Sequence, residues 1–94
     1  MKIEQLRLKI LDKAQADGTT AFTDLELQAF LTETNGNLPM AASIALTELT
    51  NDKGRLMRWA KGDTKIDYDV LMSDLIEVAQ KFHNQAVSEG YHDN

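Results

Sequence analysis

Phe22-Thr23-Asp24-Leu25-Glu26-Leu27, followed eight residues later by Asn35-Gly36-Asn37-Leu38-Pro39, holds the clearest structural signals in the chain. Thr23 and Glu26 stand three apart and form a capping box: the Thr side chain takes the N–H of the third helical residue, and the Glu side chain returns to the N–H of the cap. Phe22 just before the cap and Leu27 four positions inside form a hydrophobic staple. Asp24 and Glu26 sit where the helix dipole favours negative charge. Leu27, Phe30 and Leu31 give an apolar face, and Asn35-Gly36 stops the helix. Asn37 then caps the next helix, with Pro39 in its first turn, where a missing N–H costs nothing. Residues 24–34 are thus one helix, and a second begins at 38. The fold class is all-α.

Outward from this pair, Ile3, Leu6, Ile10 and Ala14 recur at helical spacing, with Leu8 and Leu11 widening the stripe, so a first helix is predicted over 2–16. Asp17-Gly18 is its expected stop, and Leu8 or Leu11 is left available for a neighbour. Downstream of Asn37, Met40-Ala41-Ala42, Ile44-Ala45-Leu46 and Leu49 make a small-residue face that admits close helix packing. The pattern runs on through Leu56 and Trp59, weakened by propensity over 51–54, and predicts one long helix over 38–61 with a kink near Gly54. Residues 63–67 read as a short extended turn. Asp67 or Asp69 caps a last helix over 68–88, with a stripe of Leu71, Leu75, Val78, Phe82 and Ala86 flanked by Ile76 and Ala79. Gly90 stops it before a polar tail, 89–94. The expected architecture is one domain, 1–94, a compact four-helix bundle with a short extended turn before the last helix.

The chain has 94 residues, 43% hydrophobic and 27% charged, the values of a soluble domain rather than a disordered segment. A domain this size buries about two-thirds of its unfolded surface and has a narrow stability margin. Cysteine is absent, which excludes disulfides, thiolate metal sites and a thiol nucleophile. No apolar run approaches a membrane span, and no signal peptide is evident; a cytoplasmic protein without membrane contact is expected. The net charge of −5 disfavours non-specific nucleic-acid binding. Its distribution is uneven: +2 over residues 1–13, −6 over 14–52, +4 over 53–65 and −5 over 66–94. Alternating blocks of this kind can bind copies of the chain, or partners, through complementary patches.

Catalytic groups do not converge in the sequence. His83 and His92 lack metal-ligand spacing, and Ser43, Ser73 and Ser88 have no neighbouring base or elbow motif. Asp63, Asp67 and Asp69 lack the spacing, central Gly and terminal Glu of a calcium loop, so capping and solvation account for them. The expectation is a protein without catalytic activity, cofactor or metal. The basic block is the sharper feature. Arg55, Arg58, Trp59 and Lys61 fall within two helical turns, where Trp and Arg favour protein contact. The competing reading is a solvated face with Trp59 turned into the core. With Lys65, and with Tyr91 and His92 in the tail, they form the candidate interface. A helix-turn-helix is disfavoured, because its reader, residues 38–50, carries no Lys or Arg.

Two resemblances follow. Residues 23–31, Asn35-Gly36-Asn37, 40–46, the Lys61-Gly62-Asp63 turn and the closing helix 71–86 resemble head–tail connector (adaptor) proteins of tailed bacteriophages. The family pattern is an acidic-start helix, a Gly-Asp/Asn turn, an Ala-rich helix, a Lys-x-Gly-Asp turn, which Lys61-Gly62-Asp63 matches with one residue fewer, and a final helix, and the resemblance covers residues 22–86. The resemblance implies a virion protein, assembled in the host cytoplasm into a ring beneath the portal protein, twelve-fold if it follows portal symmetry. Its implied partners are its own copies, the portal, and a tail-side stopper or tail completion protein. DNA would pass through the centre without sequence-specific binding. The second resemblance is shorter: Phe30-Leu31, Asn35-Gly36-Asn37-Leu38 and 41–46 are similar to ubiquitin-associated three-helix modules, which implies a monomeric binding or regulatory module instead.

Overall fold

A computed structural model describes residues 2–12, 18–60 and 67–91. Its secondary structure is helical throughout: α1 (Lys2–Lys9), α2 (Asp24–Glu33), α3 (Leu38–Asn51), α4 (Lys53–Trp59) and α5 (Tyr68–Ser88), with no strand among the described residues. The capping box at Thr23 forms in both directions, at 3.1 Å to the Glu26 N–H and 2.9 Å back from the Glu26 carboxylate. Phe22 and Leu27 are fully buried in one core, as the staple requires. Asn37 caps α3 through the Met40 N–H, and Asp67 caps α5. Ala41, Ala42 and Ala45 are fully buried, and this small-residue face makes α3 the central element, packed against each of the other four helices. α5 lies along α3 in the opposite direction, with His83 and Tyr91 beside Met40, and Leu71 and Leu75 beside Leu46.

Two helices differ from the sequence reading. The first stops at Lys9 instead of running to 16. Leu11 takes φ +56°, and the N–H groups of Leu11 and Asp12 return to the carbonyls of Leu8 and Arg7. This is a Schellman stop, the same one that closes α2 with Asn35 at φ +54° and α5 with Gly90 at φ +99°. The reason lies one residue on. Asp12 is buried, and its carboxylate accepts from the backbone N–H of Ala21 (2.8 Å) and Phe22 (2.9 Å) and from the Arg7 guanidinium (2.9 Å). A buried carboxylate without donors costs more than a few helical bonds return, so its demand overrides the apolar periodicity. Ala14 and the Asp17 of the expected stop lie outside the described residues.

The expected long third helix is two helices, making five among the described residues. Asp52, extended at φ −131°, ψ 98°, leaves α3 and caps α4 by accepting the Arg55 N–H at 3.1 Å. The break falls at an acid that can cap rather than at Gly54, which is helical. In α5, Leu75, Ala79 and Ala86 are buried and Leu71 and Phe82 half-buried, whereas Val78 and Ile76 are exposed. Gly36 is held as glycine by φ +78°, and the Lys2 ammonium lies over it. Lys2 donates to its carbonyl at 2.9 Å, and a Cβ there would stand 2.5 Å from the Lys2 ammonium.

Asp12→Ala is expected to cost roughly 3–5 kcal/mol, because it strands two backbone donors and removes one of the two carboxylates paired with Arg7. Urea unfolding followed by circular dichroism checks this. Leu11→Gly should act oppositely and raise stability by about 1 kcal/mol, since a left-handed Leu carries a steric cost that Gly does not. A neutral or destabilising result would mean that the Leu11 side chain, though 60% exposed, is needed by the fold.

Candidate interaction surfaces

The predicted interface residues separate into different roles. Lys61, Lys65 and His92 lie outside the described residues. Arg55 is engaged within the chain: its guanidinium meets the Glu26 carboxylate at 2.6 Å and lies 4.7 Å from the centre of the Phe22 ring. Its Nε is buried without a hydrogen bond, with the Asp52 carboxylate 3.7 Å away. A charge so placed fastens α4 onto the start of α2. Trp59 is half-buried against the core, and its indole N–H donates to the Ile10 carbonyl at 2.8 Å, fastening α4 to the end of α1. This places Trp59 in the inward reading weighed against a contact role. Arg58 and Met57 are exposed on α4, and Tyr91 is half-buried beside His83.

Two open grooves flank the α3–α5 pair. On α5, Val78 and His83 point about 140° apart around the helix and line different grooves. The first, about 240 Å³, is nearly all apolar: Leu11, Leu46, Trp59, Leu71 and Val78 line it, with Lys9 and Asp74 at its rim. Leu11, held in its left-handed conformation, and Val78, 39% exposed, give this side an uncovered apolar surface, with Leu8 exposed on α1 nearby in sequence. The second groove, about 420 Å³, has Met40 and Ile44 on its wall with Ser43, His83 and Tyr91, and the carboxylates of Glu33 and Glu48 beside them.

The fold brings Ser43 and His83 to one groove from forty positions apart. Among the described residues, however, no hydrogen bond joins a serine to a histidine or a histidine to a carboxylate. No group of three His, Cys, Asp or Glu among those residues could hold a metal ion, and no described helix is long and apolar enough to cross a membrane. No protein-family model, curated protein or solved structure matches this chain.

The charge blocks are partly consumed within the subunit. Arg7 of the first block bonds Asp24 of the second at 2.7 Å, besides Asp12, and Arg55 of the third bonds Glu26 of the second. What remains of the acidic block among the described residues is Glu33 and Glu48, and both border the second groove. Neither surface was legible in advance. The groove acids carried one signal, the complete lack of Lys and Arg over 14–52.

Burial alone would raise the Glu26 carboxyl, but the Thr23 N–H and the Arg55 guanidinium outweigh it and hold the group below its ordinary 4.5. A depressed carboxyl contributes stability above its unfolded value and loses it as pH falls through the folded value. The stability gap between the wild type and Glu26→Gln is therefore expected to close as pH drops below 4.5, read from urea midpoints across an acid series. Arg55→Glu should cost on the order of 2–3 kcal/mol at neutral pH. Lys53→Glu, on the exposed face of the same helix, should stay within about 0.5 kcal/mol.

Proposed function

We propose that this chain is a non-enzymatic virion assembly protein: a head–tail adaptor that forms a ring under the portal and joins it to the tail while DNA passes through. The observation that carries this reading is the pair of unlike open surfaces on opposite flanks of α3 and α5, one apolar and one bordered by unpaired acids. A closed ring is built from a head-to-tail contact, which needs two different faces on each subunit rather than one self-complementary patch. The helix punctuation over 22–86 supports the same reading. The Thr23 box, the Asn35-Gly36 stop and the Asn37 cap set the angle between α2 and α3, and so place α3 where α5 packs on it. The Lys61-Gly62-Asp63 turn of the resemblance lies outside the described residues.

A ring of small subunits also accounts for the narrow margin of a 94-residue domain, because association stabilises the folded state by mass action. An acidic inner wall would keep DNA from adhering during passage. The test is assembly of the chain alone and together with a tailed-bacteriophage portal protein, read by light scattering and negative-stain electron microscopy. A ring-sized species that binds the portal is expected. A strict monomer without portal affinity at the highest soluble concentration would overturn the reading and favour the ubiquitin-associated-like binding module.

A further inference from the structure

Glu33 and Glu48 stand where an isolated helix would least favour them. Glu33 is the last residue of α2 and Glu48 lies in the last turn of α3, at the negative ends of the two helix dipoles. Both acids are exposed, neither has an ion-pair partner among the described residues, and no Lys or Arg lines the groove they border. Exposed acids by themselves are ordinary solvated surface. The wall beside them is not ordinary. Ser43 lines the groove at only 8% exposure, and its hydroxyl has no hydrogen-bond partner among the described residues. Thr34 and Thr47, on the same groove, both return their hydroxyls to a preceding helical carbonyl, so the open hydroxyl of Ser43 is not the local habit. Met40 and Ile44 add apolar surface on either side of it in sequence, and Val87 stands exposed one helical turn beyond His83 on α5.

We infer that this groove receives a lysine or arginine side chain presented by a different polypeptide, its methylene stem on Met40 and Ile44 and its charged head toward the Glu33 and Glu48 carboxylates and the Ser43 hydroxyl. The occupant follows from the chemistry of the wall. An anion is repelled by the two acids, and a neutral apolar group leaves three acceptors unanswered. A cation on a long apolar stem suits both parts of the surface. A free alkylammonium ion is a poor occupant, because exposed carboxylates compete with water for it and each such pair is worth little. A side chain held on a protein surface reaches the same acids at high effective concentration. Nor does the chain supply the cation from a second copy. Among the described residues Lys2, Arg7, Lys9, Arg55, Arg58 and Lys81 are each engaged within the chain, which leaves Lys53 alone. The contact does not require ring assembly; in a head–tail adaptor, the portal or the tail-side protein would bear the cation.

The test is a titration of the isotope-labelled full chain with acetyl-Leu-Arg-Leu-amide, with its neutral citrulline isostere and with putrescine, followed by amide chemical shifts. The arginine peptide is expected to move the signals of Ser43, Glu48 and His83 saturably, and less so as salt rises. The citrulline peptide should leave them in place, and putrescine should bind at least about fivefold more weakly than the arginine peptide. Glu33→Gln/Glu48→Gln should weaken the arginine peptide about tenfold or more at low salt. Ser43→Ala should weaken it about threefold. Both variants should match or exceed the wild-type urea midpoint, because they remove acids from helix C-termini or a hydroxyl without a partner. The contact is overturned if the citrulline peptide binds equally well, or if the double Gln variant keeps full affinity. Weaker binding together with a lowered urea midpoint would assign those groups to the fold and overturn it too. Equal affinity for putrescine would make the groove a site for free amines, and shifts at the same residues on concentrating the chain alone would make it an interface between copies. Either result overturns the assignment to another polypeptide. Failure to bind a portal protein would sink the adaptor reading and leave this contact standing. Portal-bound rings with a groove indifferent to the arginine peptide would do the reverse.

Discussion

The buried carboxylate of Asp12 is the constraint on which the rest of the subunit depends. It needs donors, and it takes them from the backbone at Ala21 and Phe22 and from Arg7. Meeting that need ends α1 seven residues earlier than the apolar stripe suggests and brings the chain back to the threshold of α2. Phe22, pinned by its N–H, is then in place for the staple with Leu27, for an edge-on contact with Phe30 and for the Arg55 guanidinium above its ring. Arg55 in turn reaches Glu26, the same side chain that closes the capping box. One satisfied carboxylate thus fixes the relation of α1, α2 and α4 around α3.

This network changes the meaning of the alternating charge blocks. As sequence, +2, −6, +4 and −5 read as patches offered to other molecules. In the fold, part of the first three blocks is turned inward: Arg7 and Arg55 neutralise acids of the second block, and Arg55 is one of the residues of the candidate interface. The charges left over carry the information about partners, and they are fewer and better placed. Glu33 and Glu48 border one groove, while Lys53 is exposed on α4.

Local signals were the legible part. The Thr23 box, the Asn37 cap, the Asn35 and Gly90 stops and the Ala-rich face of α3 each state their conformation within four or five residues, and each was read correctly. The misreadings came from residues whose role is set from a distance. Asp12 looks like one polar position on a helix until Ala21 and Phe22, nine and ten residues away, turn their N–H groups toward it. Leu11 would pass as stripe, since nothing local says that a Leu will occupy a glycine conformation. Asp52 was legible in principle: an acid three residues before a helical N–H is a cap, but the continuing apolar pattern to Leu56 and Trp59 concealed it. The grooves depend on α3 and α5 lying together, a relation that no single segment encodes.

The bond from the Trp59 indole to the Ile10 carbonyl has a spectroscopic consequence. Trp59 is the sole tryptophan of the chain, half-buried, and tied to the point where α1 ends. Its emission wavelength therefore reports the polarity at one seam, between α1 and α4, against no background from a second indole. It also lines the apolar groove with Leu11 and Val78, so anything that covers that groove dries the same ring. The chain carries an intrinsic optical reporter at the apolar one of the two grooves that flank α3 and α5.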